Sequence, residues 1–513
     1  MFRRLLSNVR GQQPPAELPP APPPAPAQNE STDAAADAAV EVWVKWDRSP
    51  AFSLEQLRAD PLRWKAAGLL AAWQDSSTAQ AILEQFLQRP RPDPIDILLY
   101  VELLLRQGKK DQVCALLDRA AEFAPPMQAR AGCIMGQIAF DRGDFAAARR
   151  WVDMALADAP RFAAVRILSG TLLQAEGRLH EAEAQFRSML ADYPEDSAAR
   201  GSLAAVLEHQ GRFADGMAEM VTGEILSGGG HPTISSWDGR PLGTASLLVT
   251  CTAGIGDILQ MIRYALPLRR AEPQARLVLW CRPEVASAAR LMRLFDDVVA
   301  TQTIEDSIFD WEISLMRLRL RHHLTSDASL GEKPYLKCEP ATVEPMRRRL
   351  NDLDGGDRQG PAPLRIGLRW SGAPHAYDAR RSIPHAQLAP LFTLPHITWV
   401  ALLESGHREI PALHDGSLPL ADVSGHLHDL GDTAALICAL DLIISVDTST
   451  AHLAGALGVP CWMLARPDCD PRWGLVGDQS TLYESVRVFR HPGLTLDWDH
   501  VVRACVEALA GYR

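Results

Sequence analysis

Residues 442–460 read LIISVDTSTAHLAGALGVP, an apolar run broken at once by Asp447, Thr448, Ser449, Thr450 and His452. The pattern predicts a buried strand, a polar turn, a helix stopped at Gly458, and a new strand from Pro460. The first N–H groups of a helix have no intrahelical partner and carry partial positive charge. At the carboxyl end of a parallel strand, such a turn can seat a diphosphate. The same residue types also suit ordinary N-capping, which needs no ligand.

Two further turns repeat the arrangement. After an apolar run at 246–250 comes Gly254-Ile255-Gly256-Asp257, then an apolar stretch expected to be one helix over 258–268. Two glycines allow close approach of backbone to a ligand, and Asp257 falls at the helix start. It suits a general base or a simple cap equally. Gly367-Leu368-Arg369-Trp370-Ser371-Gly372 is again strand then turn, followed by Arg380 and Arg381. Adjacent arginines after a strand end suit bidentate phosphate contacts, or form a solvated basic loop.

The elements that must hold these turns are legible from hydrophobic pattern. Strands are expected at 246–250, 276–281, 309–315, 365–370, 397–403, 442–446, 461–464 and 486–489, mostly separated by helical stretches, with a last helix over 498–509. Alternation of this kind predicts parallel sheets covered on both faces. The segment DGGDRQGPAP at 354–363 reads as a linker between two halves.

Upstream, Gly143, Gly177 and Gly211 are spaced by 34, as are Pro126, Pro160 and Pro194. Gly136 and Gly170 keep that period, as do Ala148 and Ala182, while Gly108 suggests a divergent repeat before them. A period of 34 with small residues at helix crossings resembles the tetratricopeptide repeat. Its concave face is expected to dock a peptide or protein, the alternative being a rigid spacer or dimerisation surface. Residues 53–92 read as a further helical pair, and 1–41 as a disordered Pro/Ala-rich leader.

Composition narrows the function. The chain has 513 residues, 47% of them apolar, which supports several domains with sizeable cores. A net charge of −11 argues against a general nucleic-acid binder. The nine cysteines form no CxxC pair, which argues against a structural zinc site or a disulfide framework. No run of 18 apolar residues occurs, so no transmembrane segment is expected. The expected location is the cytoplasm, with peripheral contact at the inner membrane as the alternative.

The turns at 254–257, 367–372, 380–383 and 446–457, in this order, resemble glycosyltransferase family 9, the lipopolysaccharide heptosyltransferases. The resemblance is greatest to a bacterial subgroup that places tetratricopeptide repeats before the transferase. Asp432–Ile444, Arg472-Trp473 and the stretch from Trp237 to Leu242 also resemble that subgroup. It implies an α/β fold of GT-B type, two facing Rossmann-like domains, preceded by an all-α repeat solenoid. The expected divisions are the leader 1–41, repeats 53–226, an N-terminal half 237–340 and a nucleotide-sugar-binding half 341–513. By similarity Asp257 matches the catalytic base. Gly254, Gly256, Trp370, Ser371, Arg381, Asp447, Thr448, Ser449 and His452 match donor-binding positions.

The function so implied is inverting, metal-independent hexosyl or heptosyl transfer from a nucleotide-diphosphate sugar, with no cofactor. No Asp-x-Asp pair is read as a metal clamp. The acceptor would be a protein or glycan recruited by the repeats. Residues 404–406 and 465–471 depart from the subgroup near the expected donor pocket, which leaves sugar and nucleotide open. A competing reading is a repeat scaffold whose transferase fold has lost turnover. A third keeps catalysis but uses a UDP-sugar, as repeat-bearing O-linked N-acetylglucosamine transferases do.

Overall fold

The computed structural model describes residues 54–71, 76–89, 92–118, 125–231, 233–251, 253–301, 303–321, 334–354, 362–372, 378–491, 493 and 496–512. The expected leader, 1–41, and most of the 354–363 linker lie outside these residues. The chain divides into two compact units, 1–203 and 204–513. The fold class is the expected one: helical hairpins, then an α/β region of GT-B type with two parallel sheets.

In the first unit, helices pair as Pro94–Arg106 with Lys110–Leu117, Pro125–Asp141 with Phe145–Asp158, and Ala163–Ala175 with Leu179–Asp192. Gly108, Gly143 and Gly177 close these hairpins with φ of 75°, 78° and 75°. The next N–H in each turn donates back five residues: Lys109 to Leu104 O at 2.9 Å, Asp144 to Ala139 O at 3.0 Å, Arg178 to Leu173 O at 2.9 Å. This left-handed closure satisfies a helix-end carbonyl and penalises any residue with a Cβ. The sequence period is therefore the spacing of one repeated hydrogen-bonded turn. The small residues have a separate job. Ala148 and Ala182 are fully buried, and a Cβ on Gly170 would stand 2.5 Å from Phe186 Cζ.

The second unit opens with the end of helix Ser197–His209, then helix Phe213–Leu226, whose closing turn at Gly211 repeats the geometry (φ 78°). Sheet one contains β1 (Ser246–Thr250), β2 (Arg276–Trp280), β3 (Asp297–Val299) and β4 (Trp311–Ser314), in the order β3-β2-β1-β4. Sheet two contains β5 (Leu364–Arg369), β6 (Ile397–Ala401), β7 (Ala421–Asp422), β8 (Leu442–Val446), β9 (Cys461–Ala465) and β10 (Val486–Arg490), ordered β10-β9-β8-β5-β6-β7. All pairings between these strands are parallel. The chain reverses direction across each sheet between β1 and β4, and between β5 and β8. Crevices at the carboxyl ends of such strand pairs are where open α/β sheets bind ligands.

The expected strands are all present, with ends shifted by a few residues. Two more, β3 and β7, have only three and two residues, too short for a period-two pattern to register. The helix expected over 258–268 is instead Ile255–Met261, a 3-10 turn Ile262–Tyr264, and Ala265–Ala271. The expected boundary at Trp237 falls inside the second unit. Trp237 N–H donates to Glu312 O (2.7 Å) and Glu312 N–H to Ser235 O (2.9 Å), adding this segment to β4. Ser314 Oγ donates to Glu224 on helix Phe213–Leu226 at 2.8 Å, binding the last repeat helix to the same sheet.

One core cluster runs through both halves of this unit. Tyr335, on the segment crossing between them, ties them further. Its N–H and that of Leu336 both donate to Ala456 O at 3.0 Å, and its hydroxyl donates to Leu259 O at 2.7 Å. Among the described residues no helix is long and apolar enough to cross a membrane.

Replacing a helical glycine by alanine ordinarily stabilises by about 1 kcal/mol. Gly170→Ala is expected to do the reverse, costing about 1–3 kcal/mol, because the added methyl meets the fully buried Phe186 ring. Urea denaturation checks this, and pairing the change with Phe186→Leu should recover part of the loss.

Candidate active site

Helix Ile255–Met261 starts directly after β1, and Asp257 is its third residue behind the N-cap Gly254. Helix Ser449–Leu457 starts directly after β8 with Thr448 as N-cap. These two helices pack against each other because their contact carries almost no side chain on one side. A Cβ on Gly256 would lie 2.7 Å from His452 Cδ2, so the imidazole rests on bare backbone. Gly254 serves the carboxylate in the same way: its Cβ would lie 3.0 Å from Asp257 Oδ2. The turns after β1 and β8 are thus brought to one place.

The loop after β9 completes the cluster. Arg472 Nη1 donates to Asp257 Oδ1 (2.5 Å) and to Gln260 Oε1 (2.8 Å), and Nη2 donates to Asp470 Oδ2 (2.6 Å). Asp470 also accepts the Arg472 backbone N–H at 3.0 Å. Trp473 Nε1 donates to Asp447 Oδ1 at 3.0 Å, and its ring centroid stands 4.5 Å from that of His452. His452 Nδ1 is 3.0 Å from the Tyr483 hydroxyl.

Thr448 does not cap its helix through its side chain; its hydroxyl pairs with Ser445 Oγ at 3.1 Å. The N–H groups of Ala451 and His452 donate to the Thr448 carbonyl (3.1 and 3.4 Å), while those of Ser449 and Thr450 are left for another acceptor. Arg381 Nη1 donates to the Asp447 carbonyl at 3.2 Å, which sets its guanidinium at the end of β8.

The expected arginine pair separates. Arg380 is buried and grips Asp468 through two bonds of 2.8 and 3.1 Å, so it braces the loop after β9. Trp370 and Ser371, expected at the donor, are each 1% exposed. The Trp370 indole packs on His385 (centroids 6.1 Å apart), and Ser371 Oγ has no hydrogen-bond partner. Asp468 and Asp470 do form an Asp-x-Asp pair beside the site, which the sequence reading passed over. Their carboxylates turn to Arg380 and Arg472 respectively.

Charge in the cluster is strongly conditioned. Burial raises the Asp257 pKa, but the Arg472 charge and hydrogen bond outweigh it and hold the carboxyl below its usual range. Burial opposes ionisation of Asp470 too, and the same guanidinium again outweighs it and holds the carboxyl well below its usual range. Burial pushes the Asp447 carboxyl up despite Arg472. Burial, with Arg472 beside it, holds His452 down to about 3, so its imidazole is neutral at physiological pH.

Sequence reasoning found Asp257, Asp447, Thr448 and His452 and missed the residues that organise them: Arg472, Asp470, Gln260, Trp473 and Tyr483. Arg472-Trp473 stood in the sequence as a resemblance without a role. The usable signal was four charged residues within 466–472, directly after an apolar strand.

Protein FlbA of Caulobacter vibrioides is 27% identical over 441 residues, covering 78% of this chain and 70% of that protein. No family model matches the chain. Among solved structures, a family 9 glycosyl transferase from Veillonella parvula is similar with TM-score 0.40 and 13% identity, over 53% of this chain and 99% of that one. The E. coli ADP-heptose LPS heptosyltransferase II has TM-score 0.39 and 15% identity, over 52% and 98%. MamA of AMB-1 has TM-score 0.28 and 21% identity, over 33% and 99%.

A group whose pKa is depressed by folding stabilises above its ordinary value and loses that contribution as pH falls towards the folded one. For His452 the window runs from its ordinary 6.5 down to about 3. Asp257 and Asp470 act only below the ordinary carboxylate value of 3.8. Unfolding free energy is therefore expected to start falling near pH 6, and His452→Gln should reduce that fall, leaving the part due to His407, whose pKa burial also depresses. Urea titrations at stepped pH on both proteins measure this.

Proposed function

We propose that the chain is a glycosyltransferase taking a sugar from a nucleotide-diphosphate donor, without a metal or other cofactor. The observation that carries the proposal is the meeting of two unlike features. An ionised carboxylate, Asp257, and an anion-ready helix start, Thr448–His452, come from different sheets and are held together by Gly256 against His452. One feature suits proton removal and the other a departing diphosphate, and a transfer with inversion needs both at once. The motif resemblance to family 9 points the same way.

In this reading Asp257 takes the proton as the acceptor O–H bond breaks. The acceptor oxygen bonds to the anomeric carbon from one face. The bond from that carbon to the phosphate oxygen breaks on the other, and the electron pair leaves with the nucleoside diphosphate. Negative charge growing on the diphosphate is met by the N–H groups at the start of helix Ser449–Leu457 and by Arg381. Neutral His452, seated on Gly256, shapes the floor between base and helix start.

Recruitment of a protein or glycan acceptor by the repeats has one local support. A Cβ on Gly211, in the turn of the last hairpin, would lie 3.9 Å from Leu475 Cδ1, three residues past Arg472. The turn of that hairpin thus lies beside the loop that carries Arg472. The protein is expected to act in the cytoplasm.

A thermal-shift screen of nucleoside diphosphates in the presence of chelator tests the donor half. Saturation at about 100 times Kd should add roughly 2.7 kcal/mol of stability, and Arg381→Ala should remove about 1.5–3 kcal/mol of binding. No shift with any nucleotide would favour a repeat scaffold with an inactive transferase fold. Asp257→Asn should preserve nucleotide binding and cut turnover by roughly 10²–10⁴. Normal turnover would exclude Asp257 as the base.

A further inference from the structure

Arg472 is held from every side, which a merely surface-exposed arginine is not. Its backbone N–H and its Nη2 both go to Asp470 (3.0 and 2.6 Å). Its carbonyl accepts from Thr481 Oγ1 at 2.7 Å. It sits in a 3-10 turn, Pro471–Trp473, whose tryptophan is fully buried. Nη1 is thereby aimed across the unit at Asp257 Oδ1 and Gln260 Oε1. The other carboxylate oxygen, Oδ2, lies over Gly254, whose backbone is exposed.

We infer that Arg472 is the positioning residue of the transfer: it fixes Asp257 by Oδ1 and leaves Oδ2, on the open Gly254 side, as the atom that accepts the acceptor's proton. The inference rests on Asp257 being the base. It adds a division of labour that the motif itself does not contain. Asp257 has no other cation bonded to its side chain among the described residues, so its orientation depends on a residue 215 positions away. Asp470 in turn keeps Arg472 from swinging towards an incoming diphosphate. In this scheme the anion is met by Arg381 and the helix start, while Arg472 stays on the base. Arg472 also explains why the carboxylate is ionised well below neutral pH although burial opposes it.

The test uses full-length protein carrying Arg472→Gln, Arg472→Lys, and the pair Arg472→Gln with Asp470→Asn, which leaves no unmatched carboxylate on the loop if the single change misfolds. Substrate is the nucleotide sugar of whichever nucleoside diphosphate gives the largest thermal shift, and the readout is diphosphate release against pH. Loss of fixed geometry should lower kcat by about 10–100-fold with donor KM within about threefold, since only positioning is removed. The acid limb should move to higher pH, and lysine should restore part of both effects. A folded glutamine variant with the wild-type acid limb and kcat overturns the inference. So does a raised KM with unchanged kcat, which would make Arg472 a donor ligand. Asp257→Asn, run in parallel, separates the failures: if it turns over normally the base reading falls, and if it is slow while Arg472→Gln is normal, only the role of Arg472 falls.

Discussion

One guanidinium balances carboxylates drawn from both sheets of the α/β unit, and the site depends on it. Carboxylates drawn partly out of water gain from a charged partner. Asp257 and Asp470 have the same one, Arg472. The rest of the local architecture serves that meeting. Gly254 leaves room for Asp257, Gly256 lets one helix lie against His452, and Trp473 seats the loop by bonding Asp447. A second ion pair, Arg380 with Asp468, braces the same loop from behind.

The parallel topology explains why the chemistry gathers where it does. Strands β5, β8 and β9 run the same way in one sheet, so the turns that follow them share an edge, and the contact of Gly256 with His452 brings the turn after β1 to it. Each turn contributes what its local backbone can supply: a carboxylate from a first helical turn, free N–H groups from a helix start, arginines from loops. A neutral imidazole at the centre is the economical choice, because a further cation there would compete with Arg472 for Asp257.

What could be read from sequence followed the range of the interaction. Local signals were faithful: the 34-residue period became left-handed glycine turns, and eight strands stood where apolar runs placed them. The site's first members were legible for the same reason, since the places of Asp257 and Thr448 in the chain are set by the turns they occupy, even though the carboxylate's orientation is not. Arg472 was not, because its partner is 215 residues distant and no periodicity encodes that. The Arg380-Arg381 pair misled for the converse reason. Neighbours in sequence face different ways, and burial sent Arg380 to Asp468 while Arg381 stayed at β8. Trp370 and Ser371 likewise follow β5 as the motif implies, yet both are buried, Trp370 within a core cluster and against His385.

The carbonyl of Ala456 receives two N–H groups from Tyr335 and Leu336, while Tyr335's hydroxyl grips Leu259. One end of helix Ser449–Leu457 is thereby pinned to the crossing segment and, through it, to the helix that carries Asp257. The other end is the anion-ready start. A helix tethered in this way couples the two halves of the unit: displacing the crossing segment at Tyr335 would carry both the helix start at Thr448 and, through Leu259, the helix that bears Asp257.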